Sequence, residues 1–177
     1  MRIADCVGHS LRWRQPEALV RRYVLESSLG EAAELAFRSV WGTLAEGACA
    51  EGRWTFKRVG FFSGRVTVRA AGSEADLAVF HPATWSDGGA VALADGRSLK
   101  VTTGFWQSWI EIAGEDGAAL VRFAVGGLLR LELAVEIAPA AVRMPELPWL
   151  AMLGCYLVVK MHDETAAAAG AVVACCG

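Results

Sequence analysis

Leu147-Pro148-Trp149-Leu150-Ala151-Met152-Leu153-Gly154-Cys155-Tyr156-Leu157-Val158-Val159-Lys160-Met161 is the stretch whose reading decides the fold. Its apolar side chains fall all around a helix rather than on one stripe, and a helix that is apolar all round is a buried one. Pro145 and Pro148 suit a chain entering that helix, because the fixed φ of proline is tolerated in a first turn. The uninterrupted apolar part, Leu147 to Val159, is 13 residues long. At a rise of ~1.5 Å per residue it spans about 20 Å, short of the ~20 residues of a bilayer crossing, and Lys160 follows at once. No transmembrane segment is expected, so the rest of the chain has to supply the surround.

What precedes this helix is repetitive and strand-forming. Phe37, Phe80 and Phe123 recur every 43 positions, each closing a strand-turn-strand segment that opens at Tyr23-Val24-Leu25, Val66-Thr67-Val68 or Ile110-Glu111-Ile112. Gly52-Arg53 matches Gly96-Arg97, Phe61-Phe62 matches Phe105-Trp106 and Trp41 matches Trp85, all with one residue of slip. A fixed period of this kind marks a repeated structural unit. Within each unit, turn chemistry such as Ala71-Gly72-Ser73, Asp87-Gly88-Gly89, Asp95-Gly96 and Asp116-Gly117 separates short β-favouring runs. Alternation does the rest: Trp54, Phe56 and Arg58 share one face of a strand and Thr55 and Lys57 the other, while Val66 and Val68 oppose Arg65, Thr67 and Arg69.

Twelve strands are expected, at 11–14, 21–27, 31–37, 40–46, 53–58, 64–70, 75–80, 89–93, 97–103, 107–113, 119–124 and 127–137. Three units are too few for a propeller, which takes about four to eight blades. A closed sheet of about twelve strands is in turn too wide for its own side chains to fill. The expected architecture is therefore all-β with one helix: an antiparallel closed barrel of about twelve strands around a buried hydrophobic C-terminal helix at about 147–161. One domain is expected over 1–164, followed by an Ala-rich tail over 165–177.

Composition narrows the function. With 17 Lys and Arg against 19 Asp and Glu, the formal charge of -2 gives no general attraction to nucleic acid, and none is expected as a partner. The five cysteines, Cys6, Cys49, Cys155, Cys175 and Cys176, lack metal-type spacing and suit reduced thiols in a cytoplasm. No metal or cofactor is expected, and Cys175-Cys176 reads as an untethered terminus.

Twelve short antiparallel strands and a terminal apolar helix, with Gly52-Arg53-Trp54-Thr55-Phe56-Lys57-Arg58, the Gly60-Phe61-Phe62 and Gly104-Phe105-Trp106 pairs and Pro148 to Tyr156, resemble the tubby C-terminal-like superfamily. The nearest branch is that of the LURP-one-related and phospholipid-scramblase-like proteins. The resemblance implies a barrel around a helix, and a function that varies across the family from phosphoinositide binding to bilayer association. The chain departs from the membrane-active branches in having no upstream Cys-rich segment, no acidic calcium loop and no strongly basic surface. No phosphoinositide-binding residue carries over by position.

Catalysis needs a nucleophile, a base and a group that orients them. The only histidines are His9, His81 and His162, and there is no Gly-x-Ser-x-Gly, phosphate-cradling Gly loop, His-Glu-x-x-His or Cys-x-x-Cys. His81, at a strand exit, reads either as a loop base or as a strand-end ring bonded to a nearby carbonyl. No enzyme is expected.

The densest cationic stretch, Arg53, Lys57, Arg58, Arg65 and Arg69, is the candidate ligand site: strands can bring these side chains onto one surface to grip an anion. The alternative is an ordinary solvated face. Phe105, Trp106 and Trp109, with Phe61 and Phe62, are expected to pack against the helix as core. The leading expectation is a non-enzymatic cytoplasmic barrel, peripheral to a membrane, that binds a lipid headgroup or another small anionic or amphipathic ligand. A protein-interaction scaffold and a carrier of a hydrophobic small molecule are the alternatives.

Overall fold

The computed structural model of the chain describes residues 1–60, 64–83, 88–127 and 130–175; the side chains of Trp106 and of residues 168–175 fall outside the description. Twelve strands close into one antiparallel barrel: β1 (Leu11–Arg14), β2 (Arg22–Ser27), β3 (Gly30–Phe37), β4 (Leu44–Cys49), β5 (Gly52–Val59), β6 (Arg65–Ala70), β7 (Asp76–Pro82), β8 (Gly88–Leu93), β9 (Ser98–Thr103), β10 (Trp109–Ala113), β11 (Ala119–Gly126) and β12 (Glu132–Ile137). Each strand pairs with its neighbours in sequence, and β12 closes the ring on β1, Leu11 opposite Val135 and Arg14 opposite Glu132. Closure leaves no strand edge unpaired, which disposes of the main aggregation liability of an all-β chain.

Helix α1 (Leu147–Cys175) threads the ring. It touches β3, β4 and β5 on one side and β10 and β11 on the other, and from Leu147 to Val159 its described side chains are buried. Buried residues of the strands face it. Leu11, Trp13, Leu25, Leu35, Phe56, Val68, Val91, Val101, Ile112, Phe123 and Leu133 all belong to one apolar cluster with the helix. Fully burying a side chain of this size stabilises the fold by roughly 1.5–3 kcal/mol, so the helix and the wall hold each other.

The period of 43 acquires a geometric meaning here. Phe37, Phe80 and Phe123 lie on β3, β7 and β11, every fourth strand of twelve, so they stand a third of the ring apart around the helix. Phe37 stacks on Tyr156 of the helix at 5.4 Å between ring centroids. Phe123 lies flat against Gly154, where even one added carbon would run into its ring.

Two strands begin four or more residues later than the sequence suggests. The run expected at 40–46 is β4 at Leu44–Cys49, because the Arg21 guanidinium takes up the carbonyls of Ser39, Val40 and Gly42 and holds that segment as a loop. The run expected at 127–137 starts only at Glu132, after Gly127 has turned the chain at φ 86°. The helix is longer than its apolar core. It does not stop at Met161 but continues to Cys175, so the positions read as a tail are helical that far.

The two ends of the barrel differ. At the end where α1 begins, the short turns Ile3–Cys6 and Pro139–Arg143 pack against the helix and close the opening. At the other end α1 leaves the barrel between the β1–β2, β3–β4, β5–β6, β7–β8, β9–β10 and β11–β12 connections.

The Phe123 contact is directly testable. Gly154→Val should destabilise the fold by about 1–3 kcal/mol in urea unfolding, as overpacked cores do. A variant as stable as the parent would mean that the helix does not lie against β11.

Candidate functional site

The five cations singled out in the sequence do not meet at one point. Arg53, Lys57, Arg65 and Arg69 point outward from β5 and β6, where Thr55 pairs with Arg69, Lys57 with Thr67 and Val59 with Arg65. They form a stripe along the outer wall, and Arg53 to Val59 covers about 20 Å at a strand's ~3.3 Å per residue. Arg69 is occupied locally, its guanidinium on Asp76 at 2.5 Å and Glu74 at 3.1 Å. Arg58 is the exception. It shares the inner face with Phe56, pairs across the sheet with Val66, and sits at the open end beside the departing helix.

The helix is fastened at that end by polar contacts. Arg21 donates to the Asp163 carboxylate at 2.5 Å while its guanidinium lies 3.9 Å over the Phe37 ring, and only 12% of its side chain is exposed. Lys160 reaches the same carboxylate at 2.9 Å. Arg58 pairs with Glu164, and the Tyr156 hydroxyl donates to the Thr43 carbonyl at 2.6 Å. Burial, the largest influence on both tyrosines, pushes Tyr156 well above the ordinary range and Tyr23 up to about 12, so both hydroxyls stay protonated and that of Tyr156 remains a donor.

Beside these anchors a half-open cavity of about 230 Å³ separates α1 from the β5–β10 wall. Val66, Phe80, Val101, Ile110, Leu157 and Met161 line it, and Arg58, Lys160 and Glu164 stand at its mouth. Gly64 has φ 53° and lies so close to the Arg58 guanidinium that a side chain would displace it, which fixes the height of the charge over the cavity. Inside, the Thr103 hydroxyl oxygen is buried without a hydrogen-bond partner among the described residues. An unsatisfied buried hydroxyl costs free energy that a polar group entering the cavity would recover.

Sequence reasoning overlooked five members of this site. Lys160 and Asp163-Glu164 were visible as the charges that end the apolar run, and that switch marks where the helix leaves the barrel. Nothing local distinguishes Arg21 or Thr103, which acquire their roles only from partners 142 positions away or from a cavity built by several strands.

Part of the aromatic expectation is overturned. Phe105 is 84% exposed, and Trp109 points outward with the Arg122 guanidinium 4.7 Å over its ring, because both lie on or beyond the outward register of β10. Phe61, Phe62 and Trp85 lie outside the described residues, as does the side chain of Trp106. His81 is exposed on the outer wall of β7, one position beyond the Val66–Phe80 pair and so next to Arg65. His9 meets the Ser28 hydroxyl at 3.1 Å on the exposed β2–β3 turn at the closed end, and His162 is on the helix beyond the barrel. The three rings are thus in three separate places.

Cys6 and Cys155 are buried and Cys49 is half-buried. Burial raises the Cys155 thiol well above its usual range and is the main cause that lifts Cys49 to about 11. At pH 8 about one Cys49 in a thousand is then a thiolate, the reactive form. Alkylation at pH 8 read by peptide mapping should label Cys6 and Cys155 only as fast as the chain unfolds and Cys49 slowly in the folded protein, and rapid labelling of Cys155 in the folded protein would contradict its placement.

No known family's sequence profile, no curated protein and no solved structure matches the chain.

Proposed function

We propose that this barrel is a non-enzymatic binding protein that holds a small amphipathic anion at its open end, the charged group against Arg58 and Lys160 and the apolar part in the cavity beneath. The observation that carries this reading is the cavity itself, an apolar recess between helix and wall with cations at its rim and an unsatisfied hydroxyl within. Its volume is below the ~300–1,000 Å³ usual for small-molecule sites, so it suits a short acyl chain or a single ring.

The cations at the rim are already paired, yet those pairs do not block the site. Glu164 is more than half exposed and Arg58 about a third, and exposed pairs are worth only about 0–1 kcal/mol. A phosphate or carboxylate with its tail buried can displace Glu164 from Arg58 at little cost. The resemblance to the tubby-like and scramblase-like barrels agrees with this reading, since those branches bind lipid headgroups or associate with bilayers. The scattered histidines give no support to a catalytic alternative. A hydrophobic carrier is narrowed to this one recess, because the helix occupies the middle of the barrel.

Octyl phosphate and inorganic phosphate, titrated calorimetrically, test the reading. The alkyl ester should bind the more tightly, and Arg58→Ala should weaken it about 10- to 100-fold, as expected for losing a charged hydrogen bond. Val101→Phe, which fills the cavity, should remove the advantage of the ester over phosphate. Absence of octyl phosphate binding, or equal affinity in parent and Arg58→Ala, would overturn the assignment.

A further inference from the structure

Seven large apolar residues are well exposed among the described residues, and five of them, Leu19, Val20, Val40, Trp41 and Phe105, stand on the connections at the open end. They belong to three separate loops, β1–β2, β3–β4 and β9–β10, and so surround the departing helix instead of forming one groove. The exposure is built in. Arg21 donates to the carbonyls of Ser39, Val40 and Gly42 at 3.3, 3.0 and 3.0 Å, which fixes the loop that holds Trp41 out 94% exposed. Leu19, 93% exposed, is kept at φ 71°, a left-handed conformation that a bulky side chain adopts only under constraint. Gln107, beside Phe105, is the other such residue among those described, at φ 55°. Apolar side chains gathered at one end of a molecule mark an interaction site in a way that the same residues scattered singly would not.

Charge distinguishes the two ends in the same sense. The five hairpin turns at the closed end carry Glu51, Glu74, Asp95, Glu115 and Asp116 against Arg97 alone. The described parts of the six connections at the open end carry Glu17 against Arg21, Arg38 and Arg130, and the departing helix adds Asp163 and Glu164 against Lys160. An acidic far end and an apolar near end with at most a slight excess of cations orient the barrel on an anionic plane even though its total charge is -2. Along the same axis α1 runs on to Cys175 with no charged residue after Glu164. No helix among the described residues is long and apolar enough to cross a membrane, but a helical stretch of this kind can lie in or enter the headgroup layer.

We infer that the open end of the barrel is a membrane-docking face: Leu19, Val20, Val40, Trp41 and Phe105 insert into the interface of an anionic bilayer around the uncharged end of α1. Projecting tips on separate loops match a deformable planar partner, and Trp and Phe are the side chains favoured at the headgroup boundary. The inference goes beyond the cavity and does not depend on it. Together they would place a lipid-derived anion directly below the surface it comes from.

Sedimentation with vesicles of phosphatidylcholine, alone or mixed with phosphatidylserine, tests it on the full chain. The protein should pellet with the mixed vesicles and less with phosphatidylcholine alone. The triple variant Leu19→Ser, Trp41→Ser, Phe105→Ser should bind about tenfold or more weakly, as loss of buried interfacial area requires. Leu29→Ser, at the closed end, should bind as the parent does. Circular dichroism melts of each variant establish that it is folded. Trp41→Phe should remove the blue shift in tryptophan emission that vesicles cause. A parent protein that stays in the supernatant with both vesicles would overturn the inference. So would a rim variant that pellets as the parent does, or a parent dimer in analytical ultracentrifugation that the triple variant dissolves, since the rim would then meet a second copy.

Discussion

A twelve-stranded ring is too wide to fill with its own side chains, and a helix apolar on every side cannot stand in water; each is stable only because the other is there. In this chain the two halves of that constraint lie in one polypeptide, with the wall first and the plug last. The helix therefore can be enclosed only after strands separated by more than a hundred residues have come together, β12 against β1 across Val135 and Leu11. The pieces are mutually dependent, and the barrel without its helix would present an apolar lumen to solvent.

The same constraint explains why the two ends are unlike. Where α1 starts, the chain arrives from β12 and can be covered by its own short turns, Ile3–Cys6 and Pro139–Arg143. Where α1 leaves, the opening has to admit a helix, so the seal is made of ionic and hydrogen-bonded contacts in place of close packing. Arg21, Lys160 and Asp163, the Arg58–Glu164 pair and the Tyr156–Thr43 bond fasten the helix there. A seal of that kind leaves space, and the cavity under Arg58 is that space. Polar anchors, a gap and a rim of exposed apolar residues at one end follow from a single cause, the exit of the helix.

The wall and the plug were legible in the sequence for specific reasons. Period-two alternation separates Trp54, Phe56 and Arg58 from Thr55 and Lys57, yet the density of charge draws Arg58 into the same candidate surface as Lys57, whereas the barrel puts it on the inner face. The spacing of Phe37, Phe80 and Phe123 told of a repeat, and its threefold arrangement around the helix is the structural form of that period. Residues whose position depends on distant partners were not legible. Val40 and Trp41 look like a strand, yet Arg21 converts them into a loop by competing for their carbonyls. Phe105 has the look of a core residue, but the chain after β9 makes a short 3-10 turn over Phe105–Gln107 and β10 starts only at Trp109, which leaves the Phe105 ring exposed. The cations of β5 and β6 read as one cluster in sequence, although the alternation that defines a strand sends Arg58 one way and Lys57 the other.

Native-state hydrogen exchange of the α1 amides between Leu150 and Val159 bears most directly on the enclosure of the helix. If the ring surrounds it, those amides exchange only when the whole barrel opens, with the same free energy and denaturant dependence as global unfolding. Exchange of this segment at a markedly lower free energy, while the strand amides of β5 and β11 stay protected, would show a helix that undocks from an intact ring and would contradict the account.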